Sequence, residues 1–255
     1  MLLAIDAGNT TTVFAIYDEG MVKGHWRLST REERTSDEYA VWLSQLMQLS
    51  QIDSGQITRA LLSSVVPLTT DPIRRLCREH FGCDLKVVGE PTIDLDIKAE
   101  INRPEDVGAD RLVTSLAAKR LHEPPLIVID FGTATTFDIV NEAGNFGGGV
   151  ICPGVNLSME ALFSAAAKLP KVEVVAPDTV IGGSTITAMQ SGVYWGYVGM
   201  VEGLVDRIRG ELGAEATVIA TGGLASLFTG ATDRIDHVYE DLVMRGLLAI
   251  DALNS

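Results

Sequence analysis

Two short segments of the sequence place an aspartate before a glycine and a run of small hydroxyl or amide side chains. The first reads Asp6-Ala7-Gly8-Asn9-Thr10-Thr11, and the second reads Asp130-Phe131-Gly132-Thr133-Ala134-Thr135-Thr136. Backbone N–H groups and hydroxyls at such a tip can bind an anion, and an aspartate at a strand end can hold Mg²⁺ beside phosphate oxygens. One copy alone is typical of a plain tight turn, but two copies predict a pair of loops that hold the phosphates of one nucleotide.

A third glycine-rich segment, Thr221-Gly222-Gly223-Leu224-Ala225, follows the apolar run 216–220. Two glycines at a strand-to-helix turn allow the backbone to come close to a flat or charged ligand. Other phosphate motifs are absent, because the sequence contains no GxxxxGK followed by Ser or Thr, no GxGxxG and no GxSxG. This absence disfavours a Walker NTPase, a typical Rossmann dehydrogenase and an α/β-hydrolase.

The first two motifs belong to an internal repeat. Residues 2–20 and 126–144 align without a gap, and seven of the nineteen positions are identical. The identical pairs are Leu2/Leu126, Ile5/Ile129, Asp6/Asp130, Gly8/Gly132, Thr11/Thr135, Thr12/Thr136 and Gly20/Gly144. We therefore predict two homologous halves, 1–115 and 116–255. Each half opens with a hairpin in which an apolar strand ends on the aspartate, turns at the glycine and returns as a Thr-rich strand.

The rest of the chain alternates between helical and extended patterns, which indicates a mixed α/β fold. Thr35 and Glu38 have the spacing of a capping box, so we predict a helix over 36–50. We predict further helices over 71–80, 109–121, 155–167, 185–212, 223–228 and 240–252. We predict further strands near 58–65, 84–88, 147–152 and 216–220. Two such halves facing each other predict a cleft between them that binds a ligand.

The composition limits the partners of this protein. The 255 residues include 34 acidic and 20 basic ones, a net charge of −14, so the surface would repel nucleic acid or an anionic membrane. The first apolar run is only five residues long, and the longest uncharged stretch is too polar for a membrane span. Cys77, Cys83 and Cys152 have no metal-binding spacing. We expect them to be reduced in a cytoplasmic protein.

Six motifs occur in an order that is similar to one family. They are DAGNT at 6–10, SSVVP at 63–67, GADR at 108–111, DFGTATT at 130–136, GGVICPG at 148–154 and TGGLA at 221–225. This set resembles the type III pantothenate kinases of the actin, Hsp70 and sugar-kinase superfamily. The resemblance implies an α/β fold of two duplicated ribonuclease H-like subdomains. It also implies ATP-dependent phosphorylation of pantothenate to 4'-phosphopantothenate, the first step of coenzyme A biosynthesis.

The resemblance also implies roles for individual residues. ATP would be bound by the loop residues Asp6, Ala7, Gly8, Asn9, Thr10, Thr11, Thr12 and Val13, by Thr133, and by Gly222 and Gly223 beside the adenosine. Pantothenate would be bound by Gly108, Ala109, Asp110, Arg111 and Thr185. Asp110 would accept the proton of the pantothenate hydroxyl. Asp6 would hold Mg²⁺, and Asp130 would hold a monovalent cation, K⁺ or NH₄⁺.

The predicted helix 185–212 carries a stripe of small residues: Ala188, Gly192, Gly196, Gly199 and Gly203. Each glycine costs about 1 kcal/mol relative to alanine in a helix interior, so we expect a compensating close contact. The stripe fits either tight packing inside the monomer or an interface between two copies. The resemblance favours the second interpretation, because the family is dimeric.

Two other functions stay open. Family members often carry a tyrosine shortly before GADR, and the nearest residue here is Ile101. This departure is compatible with a nucleotide-binding regulatory protein that has the same fold but no kinase turnover. A superfamily phosphohydrolase acting on ATP or polyphosphate is the second alternative. Without the family, Asp110 and Arg111 are typical of a helix N terminus, where the aspartate interacts with the helix dipole.

Overall fold

The structure, a computed structural model, describes residues 1–165 and 169–255, which form two compact units. The first unit contains Met1–Lys98, Arg103–Ala117 and Val243–Ser255, and the second contains Ala99–Asn102 and Ala118–Leu242. This grouping differs from the predicted halves at the C terminus, because the last helix belongs to the first unit.

The first unit is built on a five-stranded mixed sheet with the strand order β3-β2-β1-β4-β5. The strands are β1 (Leu2–Ala7), β2 (Thr11–Asp18), β3 (Met21–Ser29), β4 (Arg59–Ser64) and β5 (Leu85–Val87). β1, β2 and β3 are antiparallel neighbours, whereas β4 and β5 run parallel to β1.

The second unit repeats this sheet with the order β8-β7-β6-β9-β10. Its strands are β6 (Leu126–Phe131), β7 (Ala134–Val140), β8 (Phe146–Pro153), β9 (Thr217–Thr221) and β10 (His237–Val238). The strand directions also match those of the first unit, strand by strand. The predicted duplication of an α/β unit is therefore confirmed.

Most of the α-helices lie between two strands in the chain, and the last one follows β10. Those of the described residues are α1 (Ser36–Leu49), α2 (Pro67–Leu76), α3 (Ala109–Leu121), α4 (Val155–Ala165), α5 (Thr185–Leu212), α6 (Ala225–Phe228) and α7 (Leu242–Leu253). The predicted capping box of α1 is present, since the Glu38 N–H donates to Thr35 Oγ1 and the Thr35 N–H donates to Glu38 Oε2. Residues 166 and 167 of the helix predicted over 155–167 lie outside the described residues.

Two features of the elements were not predicted. β3 is an edge strand in which only Trp26 and Leu28 pack against the core, between exposed neighbours, so its apolar pattern is short. α2 begins at Pro67 rather than at residue 71. Proline is tolerated at the first helical position because an N–H group there would have no partner within the helix.

The tip of the second hairpin is one residue shorter than the tip of the first. In the first hairpin, Ala7 pairs with Thr12 across a four-residue tip. In the second, Phe131 pairs with Thr135 across a three-residue tip. The gap-free alignment of the two sequence segments therefore holds only on the first strand of each hairpin.

This shorter tip corrects the predicted equivalence of the two return strands. Thr12 and Thr135 are both fully buried, whereas Thr136 is partly exposed. Thr135 is therefore the counterpart of Thr12, and the predicted pairs Thr11/Thr135 and Thr12/Thr136 are wrong. A slip of one residue moves every side chain of a strand to the opposite face, so burial decides the register.

The C-terminal helix α7 joins the first unit through a close helix contact and polar anchors. A Cβ at Gly246 would lie 2.3 Å from the carbonyl oxygen of Val113, so the two backbones approach as only glycine allows. Asp251, which is nearly buried, pairs with Arg59 of β4 at 3.1 Å. These long-range contacts explain why a division of the chain at its midpoint does not describe the two units.

Candidate functional site

The first loop, residues 6–13, joins β1 to β2 and is supported from the residue after β3. The Gly8 N–H donates to the Thr11 carbonyl at 3.1 Å, which closes the tip. Thr30 donates its hydroxyl to the Gly8 carbonyl at 2.7 Å and its N–H to the Thr10 carbonyl at 2.9 Å. Sequence reasoning missed Thr30, because nothing in the motif indicates a partner so far along the chain.

The second loop, which joins β6 to β7, is held against the residue that follows β8. The Gly132 N–H donates to the Ala134 carbonyl at 3.1 Å, and Gly132 and Thr133 are exposed. A Cβ at Gly154 would lie 2.1 Å from the Thr133 carbonyl oxygen and 2.8 Å from that of Gly132. Only glycine fits at position 154, so this residue sets the position of the loop.

The third segment lies against the aspartate of the second loop. Thr221 is paired with Asp130 across the parallel strands β9 and β6. Gly222 has a φ of 92°, and a Cβ there would lie 2.4 Å from Asp130 Oδ1. Gly223 is exposed, and a Cβ there would meet nothing within 4 Å. The structure therefore brings the second and third motifs together within the second unit.

Asp110 lies in the first turn of α3 and is partly buried. Its Oδ1 accepts a hydrogen bond from the Arg111 N–H at 2.8 Å. Burial raises the pKa of Asp110 above its ordinary value, although the N–H and the positive charge of Arg111 oppose this shift. A carboxylate in this setting accepts a proton more readily than a solvated aspartate does.

Val65 connects the turn of Asp110 to the first loop. The Val65 N–H donates to the Ala7 carbonyl at 3.1 Å. A Cβ at Gly108 would lie 3.3 Å from Val65 Cγ1 and 2.5 Å from Asp110 Oδ1. Gly108, two residues before the predicted proton acceptor, and Ala7 of the predicted phosphate loop therefore both border Val65 in the first unit. Val65 lies in the SSVVP motif, and its place in the motif was the one signal for its importance.

Thr185 and Ile101, two further residues of the sequence analysis, lie in the second unit. Thr185 is exposed and is the first residue of α5, directly after the N-cap Ser184, whose Oγ accepts from the Thr187 N–H at 3.2 Å. Ile101 lies beside β8, since its Cγ2 is 3.8 Å from the Cβ position of Gly148. The predicted ATP and pantothenate residues are thus divided between the two units.

The donor set fits a metal that is shared with phosphates. Asp6 and Asp130 are partly exposed at the ends of β1 and β6. The described residues contain no group of three or more His, Cys, Asp or Glu side chains that would hold a metal without other ligands. Mg²⁺ on a nucleotide needs only one or two carboxylates besides the phosphates.

No helix among the described residues has the length and apolar character of a membrane span.

A model of the type III pantothenate kinase family matches residues 2–207 of the chain. The chain belongs to the type III pantothenate kinase family. Relatives named type III pantothenate kinase include one from Rhodospirillum rubrum, which is 56% identical over 100% of this chain and 99% of its own length. Another, from Paramagnetospirillum magneticum, is 53% identical over 100% of this chain and 98% of its own.

Solved structures with the same fold are much more distant in sequence. An inorganic polyphosphate/ATP-glucomannokinase from Arthrobacter has a TM-score of 0.51 at 15% identity. The match covers 100% of this chain and 99% of the glucomannokinase chain. A protein described as a Baf family transcriptional activator, from Campylobacter jejuni, has a TM-score of 0.61 at 17% identity, covering 99% and 98%. Likenesses at this identity support the fold alone. They confirm the predicted fold class and favour neither of the two rival functions.

Proposed function

We propose that this protein transfers the γ-phosphoryl group of ATP to the primary hydroxyl of pantothenate, forming 4'-phosphopantothenate in the first step of coenzyme A biosynthesis. The observation that carries this proposal is the place of Asp110. Its carboxylate lies against Gly108, and Gly108 and Ala7 of the first loop both border Val65, in a chain that belongs to the type III pantothenate kinase family. Phosphoryl transfer depends mainly on such positioning and on charge neutralisation.

Asp110 is the proton acceptor in this reaction. The pantothenate hydroxyl oxygen forms a bond to the γ-phosphorus, the bond from that phosphorus to the ADP oxygen breaks, and the hydroxyl proton moves to the Asp110 carboxylate. The raised pKa of Asp110 makes its carboxylate a stronger base for this proton than an exposed aspartate. Arg111, its neighbour, supplies a guanidinium that can anchor the pantothenate carboxylate. Gly108, Ala109 and Thr185 complete the proposed pantothenate site.

The two aspartate-bearing loops bind the nucleotide in this proposal. Asp6 would hold the Mg²⁺ that neutralises phosphate charge, with the N–H groups and hydroxyls of residues 7–13 around the phosphates. Asp130 would hold the K⁺ or NH₄⁺ ion, and Thr133 would contact ATP. Gly222 and Gly223 would border the adenosine. The prediction that both loops hold one ATP stays part of this proposal.

The exposed side of α5 supports a homodimer. A Cβ at Gly192, Gly196 or Gly199 would meet nothing within 4 Å among the described residues. These glycines make no close contact with the described residues of the monomer, which supports the interpretation that they lie at an interface between two copies. Trp195 on the same helix is 37% exposed, so an apolar surface accompanies the glycines. We propose that a second copy covers this surface.

The three free thiols support a reducing, cytoplasmic location.

The test is an incubation of the protein with MgATP, K⁺ and pantothenate, with phosphopantothenate detected by mass spectrometry. The matched control is Asp110→Asn, which keeps the shape of the side chain and removes the base. We expect product from the wild-type chain, a loss of turnover by orders of magnitude in the variant, and retained ATP binding in both. ADP release without pantothenate would favour a phosphohydrolase, and ATP binding without any turnover would favour the regulatory protein.

A further inference from the structure

The buried side of α5 reaches the end of β8 through one phenol. Tyr197 is 7% exposed, and its hydroxyl donates to the Pro153 carbonyl at 2.6 Å. Ser158 Oγ lies 2.7 Å from the same phenolic oxygen. Because the single hydroxyl hydrogen of Tyr197 goes to Pro153, Ser158 must donate to Tyr197. Burial raises the pKa of Tyr197 above its ordinary value, so the phenol keeps its hydrogen at neutral pH.

Both partners of Tyr197 belong to the segment that supports the second loop. Pro153 pairs across β8 and β7 with Ala134, the last residue of the loop tip. The Ser158 N–H donates to the Gly154 carbonyl at 2.9 Å. Gly154 in turn lies against the carbonyls of the tip, where a Cβ would be 2.1 Å from the Thr133 oxygen. Tyr197 therefore holds this segment directly and also through Ser158.

Neighbouring aromatic rings support the same corner of the unit. Phe131, which follows Asp130, stacks on Phe228 of α6 with ring centroids 4.9 Å apart. Phe228 also stacks on Tyr194 at 5.5 Å and lies 6.2 Å from the ring of Tyr197. The rings of α5 can therefore keep the core packed without the hydroxyl of Tyr197. This separates what the ring contributes from what the hydroxyl contributes.

We propose that Tyr197 is a positioning residue, whose hydroxyl fixes the second loop for MgATP by holding Pro153 and Ser158. This inference rests on the proposed function only in taking MgATP as the ligand of that loop. A loop whose backbone is fixed before binding loses less conformational freedom when the nucleotide arrives. Removal of the hydroxyl should therefore weaken the affinity for ATP while leaving the aromatic core in place.

The test compares Tyr197→Phe with Tyr194→Phe by calorimetric titration with MgATP. Tyr194 is the matched control, because it is similarly buried on the same helix and its hydroxyl makes, among the described residues, only a 3.4 Å contact to the Leu227 carbonyl. We expect the Kd for MgATP to rise about tenfold in Tyr197→Phe, the change given by a lost buried hydrogen bond of about 1.4 kcal/mol. We expect a change of less than about twofold in Tyr194→Phe, because its bond is at the limit of the hydrogen-bond distance.

Ser158→Ala supplies a second route to the same interaction. It should raise the Kd for MgATP in the wild-type background and add little to Tyr197→Phe, because residues of one network are not additive. In steady-state kinetics, the KM for ATP should rise in both variants while the KM for pantothenate stays constant. A merely structural role would lower the Tm of the protein without this separation of the two KM values.

The titration and the kinetics test the positioning role and the proposed function separately. An unchanged Kd for MgATP in Tyr197→Phe, or equal changes in the two tyrosine variants, would overturn the positioning role. A wild-type chain that binds MgATP but forms no phosphopantothenate would overturn the proposed function, and the Kd ratio of the variants would then decide the positioning role alone. A wild-type chain that does not bind MgATP would overturn both.

Discussion

Gly108→Ala is the sharpest perturbation of the proposed base, because it changes the site by one methyl group. The new Cβ would lie 2.5 Å from Asp110 Oδ1, whereas ordinary van der Waals contact begins at 3.4 Å. Val65 Cγ1, at 3.3 Å, limits the space on another side. Gly108 does not have a positive φ, so alanine is compatible with the backbone. The strain therefore falls on the position of the Asp110 carboxylate.

The size of the effect follows from this distance. The carboxylate must retreat by about 1 Å, and a misplacement of that size can lower a catalytic rate roughly 100-fold. This corresponds to about 2.7 kcal/mol of transition-state stabilisation. We therefore expect kcat for phosphopantothenate formation to fall roughly 100-fold, while the Kd for MgATP stays near the wild-type value.

The assay is steady-state turnover, with Gly230→Ala as the matched control. A Cβ at Gly230 would meet nothing within 4 Å, so the same change there should leave kcat unchanged. The double variant Gly108→Ala/Asp110→Asn should be no slower than Asp110→Asn, because both changes act on one group. A kcat of Gly108→Ala within about twofold of wild type, or a full effect that persists beside Asp110→Asn, would show that the new methyl group does not act by displacing the Asp110 carboxylate.

Three further predictions concern pH, the cation and assembly. Burial raises the pKa of Asp110 in the folded state above its ordinary value, so folding stability should fall as pH rises through this raised pKa. Asp110→Asn should therefore have a higher Tm than wild type at neutral pH and lose this advantage in acid. A lower Tm of the variant at neutral pH would contradict the effect of burial. Asp130→Asn should raise the KM for ATP and change the K⁺ dependence of turnover, and an unaltered cation profile would place the cation site elsewhere. Gly196→Leu, at a position with open space around it, should convert the proposed dimer into a folded monomer in light scattering. A dimeric and fully active Gly196→Leu protein would argue against close approach at this helix.

The predictable part of the site consisted of features with short-range causes. The apolar strands that end on Asp6 and Asp130, the turn glycines that follow them and the capping box of α1 were all visible as local patterns. Asp110 was different, because a helix-terminal aspartate is common and only the ordered motifs indicated its role. Val65 gained a role only when the structure placed it against both Ala7 and Gly108.

The sequence by itself determined the duplicated α/β unit and the residues at its loop tips, because hydrophobic periodicity and turn chemistry act between near neighbours in the chain. The tertiary structure decided the one-residue difference between the tips, the return of α7 to the first unit and the support of the loops by Thr30, Gly154 and Tyr197. These features depend on contacts between residues that are far apart in the chain and adjacent in the fold. A glycine required by the backbone of another loop, or a phenol that holds another strand, leaves no local pattern from which it could be predicted.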